Sequence, residues 1–128
     1  MAVPEKIARL ERFIAENPAM ADVPALMIAG RPATLREALA HLKAGRHVSE
    51  IMSGLAALGL DLPWELCQEF YRRLAAARPE VKLATLMFIP PMSPAEALRH
   101  VEARDDVGRQ LAEAYASLLS YMRARVDV

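Results

Sequence analysis

The residues of this chain that could do chemistry together are two glutamate–histidine pairs with the same spacing. Glu37 precedes His41 by four residues, and Glu96 precedes His100 by four residues. Residues four apart lie on the same face of an α-helix, so each pair could share one bound ion. If the two faces met, two carboxylates and two imidazoles would surround one point and could bind zinc or iron. A metal- or small-ligand-binding helical domain is therefore one function that the sequence permits.

The helices that would carry these pairs favour a different interpretation. When the leucines of the first segment face the core, Glu37 and His41 fall on the nearly opposite side of the helix. Each glutamate also stands three residues after a hydroxyl residue, Thr34 or Ser93, and this spacing is typical of a capping box. Each histidine can then pair with its own glutamate on a solvated face. We therefore expect surface pairs, and the sequence indicates no cofactor.

The pairs recur because a longer pattern recurs. The pattern P-x-[ST]-x-x-E-A-L-x-H-[LV]-x-A-x-x-x-V begins at Pro32 and again at Pro91. Self-similarity of this kind indicates two copies of one supersecondary unit. We expect a single domain made of two tandem units, residues 1–59 and 60–128, that pack together through their apolar faces.

Helix-start and helix-stop signals predict a compact all-α bundle of about six to eight helices. They place helices from Pro4 to Asn17, over residues 35–44 and 48–58, from Pro63 to Ala77, after Ser93, and over 107–125. The apolar segments 25–29 and 81–89 are short enough to form either helix or strand. Prolines and the abundance of Ala and Leu favour helix for both. The alternative is an α+β fold in which one short two-stranded pairing joins the two units.

Composition excludes several classes of protein. The 128 residues contain sixteen basic and sixteen acidic side chains, so the formal net charge is zero, which argues against general nucleic-acid binding. One cysteine, Cys67, excludes an internal disulfide framework and a multi-cysteine zinc site. No apolar run approaches the ~18 residues of a membrane span, and a cytoplasmic location is expected by elimination.

A helix-turn-helix regulator is a second alternative, because residues 35–44 and 48–58 would be two helices joined at Gly45. The second helix offers Ser49, Glu50 and Ser53, which are poor donors to bases and phosphates. An enzyme is not favoured either. The sequence has no phosphate-binding glycine loop and no cysteine beside a histidine.

What remains is a surplus of apolar surface. Hydrophobic residues make up 54% of the chain, more than one small domain usually carries. The predicted last helix has a main apolar stripe of Val107, Leu111, Ala114, Leu118, Tyr121 and Met122. Tyr115 and Leu119 lie beyond it, and Met20 and Met92 lie in proline-rich connections. We expect these last four residues to contact a protein partner or a second copy, in a non-catalytic interaction or oligomerisation module.

Overall fold

The computed structural model of the protein describes residues 2–83 and 90–127. Helices make up most of these residues, with one short antiparallel pair of strands, so the predicted mostly helical fold class is confirmed. Six α-helices occur in the described part of the chain, within the predicted range. The elements in chain order are α1 (Val3–Glu16), a 3-10 turn (Met20–Asp22), β1 (Leu26–Ile28), β2 (Arg31–Ala33), α2 (Leu35–Lys43), α3 (Val48–Ala56), α4 (Trp64–Ala77), α5 (Pro94–Ala103) and α6 (Asp106–Val126).

The two 14-residue helices, α1 and α4, end in the same way. The N–H of Asn17 donates to the carbonyl oxygen of Phe13 at 2.8 Å, and the N–H of Arg78 donates to that of Leu74 at 2.7 Å. The two residues also share their backbone conformation, with φ and ψ of −136° and 63° in one and −139° and 63° in the other. A proline follows each of them. Because proline disfavours the helical conformation in the residue before it, both helices end where the sequence predicts.

Both predicted capping boxes are confirmed. The backbone N–H of Glu37 donates to Oγ1 of Thr34 at 3.2 Å, and the N–H of Thr34 donates back to the glutamate carboxylate at 3.2 Å. Ser93 and Glu96 make the same reciprocal pair at the start of α5. Each box satisfies two backbone donors that the first turn of a helix leaves free.

The prediction of a helix over residues 25–29 is wrong. Leu26–Ile28 is a strand that pairs with Arg31–Ala33 in a tight hairpin. Its two turn residues, Ala29 and Gly30, have φ of 52° and 77°. Two successive positive φ angles are typical of the type I′ turn, which matches the twist of two-residue hairpins. The pairing is therefore local to the first unit, whereas the α+β alternative placed it between the two units.

The second apolar segment also begins without a helix. Residues 81–83 are not helical, and the N–H of Leu83 donates to the carbonyl oxygen of Met92 at 2.8 Å in an isolated antiparallel bridge. The remainder of the predicted helix 81–89, residues 84–89, lies outside the described part of the chain. The extended pairing precedes α5, as the hairpin precedes α2.

The face of α6 that is buried differs from the main stripe that the sequence indicated. Ala114 and Tyr121 are exposed and Leu118 is half-buried, while Tyr115 and Leu119 belong to the core. The reason is that α6 packs against α1, α3, α4 and α5, so the residues facing them define the buried side. The buried residues of α6 are Gly108, Leu111, Ala112, Tyr115, Leu119, Met122 and Val126.

The helices pack around one shared core. α4 packs against α5 and α5 against α6, while α1 packs against both α2 and α6. Lys6 of α1 is 1% exposed and donates from Nζ to the carbonyl oxygen of Val126 at the end of α6. The described parts of both predicted units therefore follow one order: a 14-residue helix, paired extended residues, a boxed helix and a final helix. Duplication itself stays a prediction from the sequence.

Candidate functional site

Glu37 and His41, the first predicted pair, do not form a hydrogen bond with each other. The carboxylate of Glu37 accepts from the N–H of Thr34, so its role is that of a helix cap. Nδ1 of His41 accepts a hydrogen bond from Nε of Arg46 at 3.2 Å. The imidazole of His41 also meets that of His47 edge-on, with ring centroids 5.2 Å apart. The predicted i,i+4 pairing is thus replaced by contacts to the residues that follow α2.

The second pair, Glu96 and His100, is also divided between two partners. Glu96 accepts from the backbone and hydroxyl of Ser93, and these bonds hold the pKa of its carboxyl below the usual value. Nδ1 of His100 lies 2.6 Å from Oδ2 of Asp105, whose other oxygen caps the N–H of Gly108 at 2.8 Å. The bond from Gly108, and then the one from His100, lower the pKa of Asp105. His100 therefore supports the corner between α5 and α6.

No metal centre is assembled in the part of the chain that the structure describes. Within residues 2–83 and 90–127, no three His, Cys, Asp or Glu side chains come together in a way that could hold a metal ion. Glu37, His41, Glu96 and His100 are therefore not brought together as one set of ligands.

The four residues predicted to contact a partner lie in or against the core. Tyr115, Leu119 and Met92 are buried, and Met20 is half-buried against the core cluster. The hydroxyl of Tyr115 donates to the carbonyl oxygen of Pro24, which gives this buried phenol a structural partner. These positions favour a role in packing over contact with a partner.

Cys67 has no features of a nucleophile. Its side chain is fully buried, and burial raises the pKa of the thiol to about 12. Burial also raises the pKa of Tyr71 to about 12 and raises that of Tyr115. Since the thiolate is the reactive form of cysteine, a thiol with this pKa is inert near neutral pH.

The second helix of the proposed helix-turn-helix is used for packing. Ile51 and Leu55 of α3 are fully buried, and a side chain at Gly54 would contact Leu26 of β1. Glu50, one of its exposed polar residues, accepts from the N–H of Ala29 at 2.9 Å and so secures the hairpin turn. None of these contacts points to base recognition.

The most exposed large apolar side chain in the described residues is Leu60, at 63%. It lies between Gly59 and Asp61, which both line a cleft of about 210 Å3. A second cleft of about 290 Å3 shares four lining residues with the first, so the two are continuous. We call the pair the apolar cleft; its main lining residues are Met27, Leu58, Leu62, Pro63, Trp64 and Leu66.

The wall of the apolar cleft that carries Leu60 is fixed to α6. Oγ of Ser120 donates to the carbonyl oxygen of Gly59 at 3.3 Å, and Nη1 of Arg123 donates to that of Leu58 at 2.9 Å. Gly59 has φ of 75°, and a Cβ there would overlap Ser120 and the carbonyl of Ala116. The close approach therefore requires glycine. As a result Leu60 is presented from a fixed turn.

The rim of the apolar cleft carries charges of both signs. Asp61 and Glu65 line it, and within the described residues neither has a basic side chain within 4.0 Å. The guanidinium of Arg104 lies 4.9 Å from the centre of the Trp64 ring, a cation–π contact that covers one side of the indole. The site is thus an apolar depression between acidic and basic groups.

The apolar cleft was not predicted from the sequence, although the sequence contains a signal for it. Leu60 stands in the turn Gly-Leu-Asp-Leu-Pro, where it fits no helical period and has no core position to fill.

No helix in the described ranges is long and apolar enough to cross a bilayer. The chain matches no protein-family model, no curated protein and no solved structure.

Proposed function

We propose that the protein is a non-catalytic oligomerisation module whose apolar cleft binds a second copy of the same chain. The observation that carries the proposal is the 63% exposure of Leu60 beside a cleft lined mainly by apolar side chains. An exposed leucine from one copy could fill the cleft of the other and remove apolar surface from water, at about 25 cal/mol per Å2. Contiguous apolar surface with a polar rim is typical of protein contact sites.

The charges on the rim support a symmetric contact. In a twofold dimer, each contact occurs twice: if a first residue of one copy contacts a second residue of the other, that second residue of the one copy also contacts the first residue of the other. Ion pairs across such a contact need both signs of charge on one surface, and Glu65 and Arg104 supply them. The formal net charge of zero adds no overall repulsion between two copies. A different protein with an apolar anchor and a basic group is the other occupant that this surface would suit. The identity of the occupant is a proposal. A cytoplasmic location is also a proposal, and it is based on the composition of the chain.

The test is the mass of the protein in solution. We expect sedimentation equilibrium to give a dimer at micromolar concentrations for the native chain and a monomer for Leu60→Asp. Ala95→Asp places the same charge on an exposed position of α5 and should leave the dimer intact. Circular dichroism of each variant checks that the fold is retained.

Two outcomes would contradict self-association. One is a native chain that stays monomeric at every concentration, and the other is a Leu60→Asp chain with an unchanged mass. In the first case, a photo-crosslinker at position 60 should capture one discrete protein that the same crosslinker at position 95 does not capture. Absence of both self-association and position-specific capture would end the interaction proposal.

A further inference from the structure

A second concave surface, separate from the apolar cleft, lies between the hairpin, α2 and α4. It has a volume of about 510 Å3. Four basic or imidazole side chains line it, each from a different part of the fold: β2, α2, the connection before α3, and α4. We call it the basic cleft, defined by Arg31, His41, His47 and Arg73.

The carboxylates around the basic cleft already have partners. Glu37, which lines it, caps α2, and Glu50 accepts from the N–H of Ala29. Glu69 binds the guanidinium groups of both Arg72 and Arg73, and these bonds lower its pKa. One carboxylate is thus shared between two arginines, which leaves positive charge on this side of the cleft.

Arg31 is the guanidinium of the basic cleft that forms no ion pair in the described residues. Among the described residues no carboxylate lies within 4.0 Å of it. A planar guanidinium presents five N–H donors in a geometry that matches carboxylate and phosphate oxygens. Arg31 is therefore free to bind an oxyanion without breaking an ion pair.

The imidazole of His41 adds a further donor. Its Nδ1 accepts from Arg46, so in the neutral ring the hydrogen is on Nε2. That nitrogen is a donor in the neutral ring and in the charged ring alike. Arg31 and Nε2 of His41 thus give the basic cleft hydrogen-bond donors that have no acceptor among the described residues, whereas Arg73 is bound to Glu69 and Nδ1 of His47 lies 3.7 Å from a carboxylate oxygen of Glu50.

Two residues of the basic cleft also hold a costly backbone conformation. Ala29 and His47 line it, and both have φ of 52°. A residue with a Cβ is less stable in the left-handed region than in its ordinary conformation. The fold tolerates this cost at His47 while placing its ring edge-on to that of His41.

From this geometry we propose that the basic cleft binds a small organic anion. The guanidinium and imidazole groups would hold its carboxylate or phosphate, while Ile28 and Pro32 provide an apolar wall for its carbon skeleton. The volume lies in the usual range for small-molecule sites, roughly 300–1,000 Å3. A nucleic acid would require a wider basic surface, and the balanced net charge of the chain does not provide one.

Calorimetry and NMR titration of the full chain test the proposal with phenyl phosphate, benzoate, inorganic phosphate and the neutral analogue benzyl alcohol. We expect phenyl phosphate or benzoate to bind with a dissociation constant of about 1 mM or tighter. Inorganic phosphate should bind more weakly, since it cannot use the apolar wall, and benzyl alcohol should not bind. The ring resonances of His41 and His47 should shift during the titration.

Variants separate this site from general charge effects. Arg31→Ala combined with Arg73→Ala should weaken binding about tenfold or more, because charged hydrogen bonds are lost. Arg99→Ala removes an exposed arginine of α5 and should leave binding unchanged. Replacement of His47 by glycine should weaken binding and yet not lower the urea midpoint of unfolding, because glycine tolerates positive φ.

The outcomes decide in both directions. Binding that is lost in the double variant and kept in Arg99→Ala supports the site. No binding of either organic anion at about 10 mM, well above the expected constant, would overturn it. Equal weakening in the double variant and in Arg99→Ala would also overturn it, since the effect would then be one of overall charge.

Discussion

Nζ of Lys6 lies 2.7 Å from Oδ1 of Asp127, 121 residues further along the chain. The same nitrogen donates to the carbonyl oxygen of Val126 at 3.0 Å, so a lysine of the first helix caps the last one. A positive charge at the C-terminal end of a helix is also favoured by the helix dipole. Because the side chain is buried, this contact is a structural link between the two ends of the described fold.

Substitution Lys6→Met should lower the free energy of unfolding by about 1–3 kcal/mol, the range for losing a hydrogen bond to a charged group. Methionine fills similar space but leaves the Val126 carbonyl without its donor. Urea unfolding followed by circular dichroism measures the change. The control is Lys43→Met, whose lysine is exposed and lies 3.4 Å from Glu11; it should change stability by less than ~0.5 kcal/mol. Equal losses in the two variants would contradict the link.

Gly108→Ala should be among the most damaging single substitutions in the described chain. A Cβ at this position would overlap the carbonyl oxygen of His100, and backbone cannot move aside as a flexible side chain can. We expect a loss of at least ~2 kcal/mol from overpacking where α5 meets α6, measured by urea unfolding. Gly30→Ala is the comparison: its Cβ would have nothing within 4 Å, and only its positive φ makes it costly. If Gly30→Ala were the worse of the two, the close approach of α5 and α6 would be wrong.

Ala29→Asn should stabilise the protein, by about 0.5–1 kcal/mol. Asparagine accepts the left-handed conformation more readily than alanine, and Asn-Gly is the preferred pair for a type I′ turn. The bond from the backbone N–H to Glu50 would be retained. The thermal midpoint measures the gain, with Ala19→Asn as control, since Ala19 has an ordinary helical conformation. A midpoint that does not rise, or that rises equally in Ala19→Asn, would count against a strained turn.

The helix ends that were predicted correctly are those where a local signal fixes the backbone. Each such signal acts on its nearest neighbours: the capping residues Thr34 and Ser93 at two helix starts, and the prolines after α1 and α4. A few residues therefore suffice to predict these helix ends. The hairpin was missed because its turn is Ala29-Gly30, and alanine normally signals helix. Ala29 keeps its left-handed conformation because the two strands and the hydrogen bond to Glu50 hold the turn in place.

Tertiary packing decided what the local signals left open. α6 has apolar residues on two sides, and only its contacts with other helices select Tyr115 and Leu119 as buried and leave Tyr121 exposed. The candidate sites depend on packing even more. Arg31 and Arg73, or Met27 and Trp64, are far apart in sequence, and only the fold places each pair along one cleft.

Cys67 should resist alkylation in the folded protein. Its pKa of about 12 keeps almost all of the thiol protonated at pH 8, and the side chain is buried. We expect iodoacetamide to modify it at least about 100-fold more slowly in buffer than in denaturing urea, where the ordinary cysteine pKa of ~8.5 applies. Mass spectrometry over time gives both rates. Rapid labelling of the folded chain would show an accessible thiolate and would make Cys67 a candidate nucleophile.

Acid should weaken the corner between α5 and α6. The pKa of Asp105 is lowered in the folded state by its bonds to Gly108 and His100, whereas in the unfolded chain it returns to about 3.9. A lowered folded pKa means that the unfolded state binds the proton first. This stability is therefore present above the unfolded pKa and is lost as the pH falls through the folded one. Replacing Asp105 with asparagine keeps a helix cap but removes the titration, so its urea midpoint should fall less between about pH 5 and pH 3 than that of the native chain. Parallel pH profiles would refute this role for Asp105.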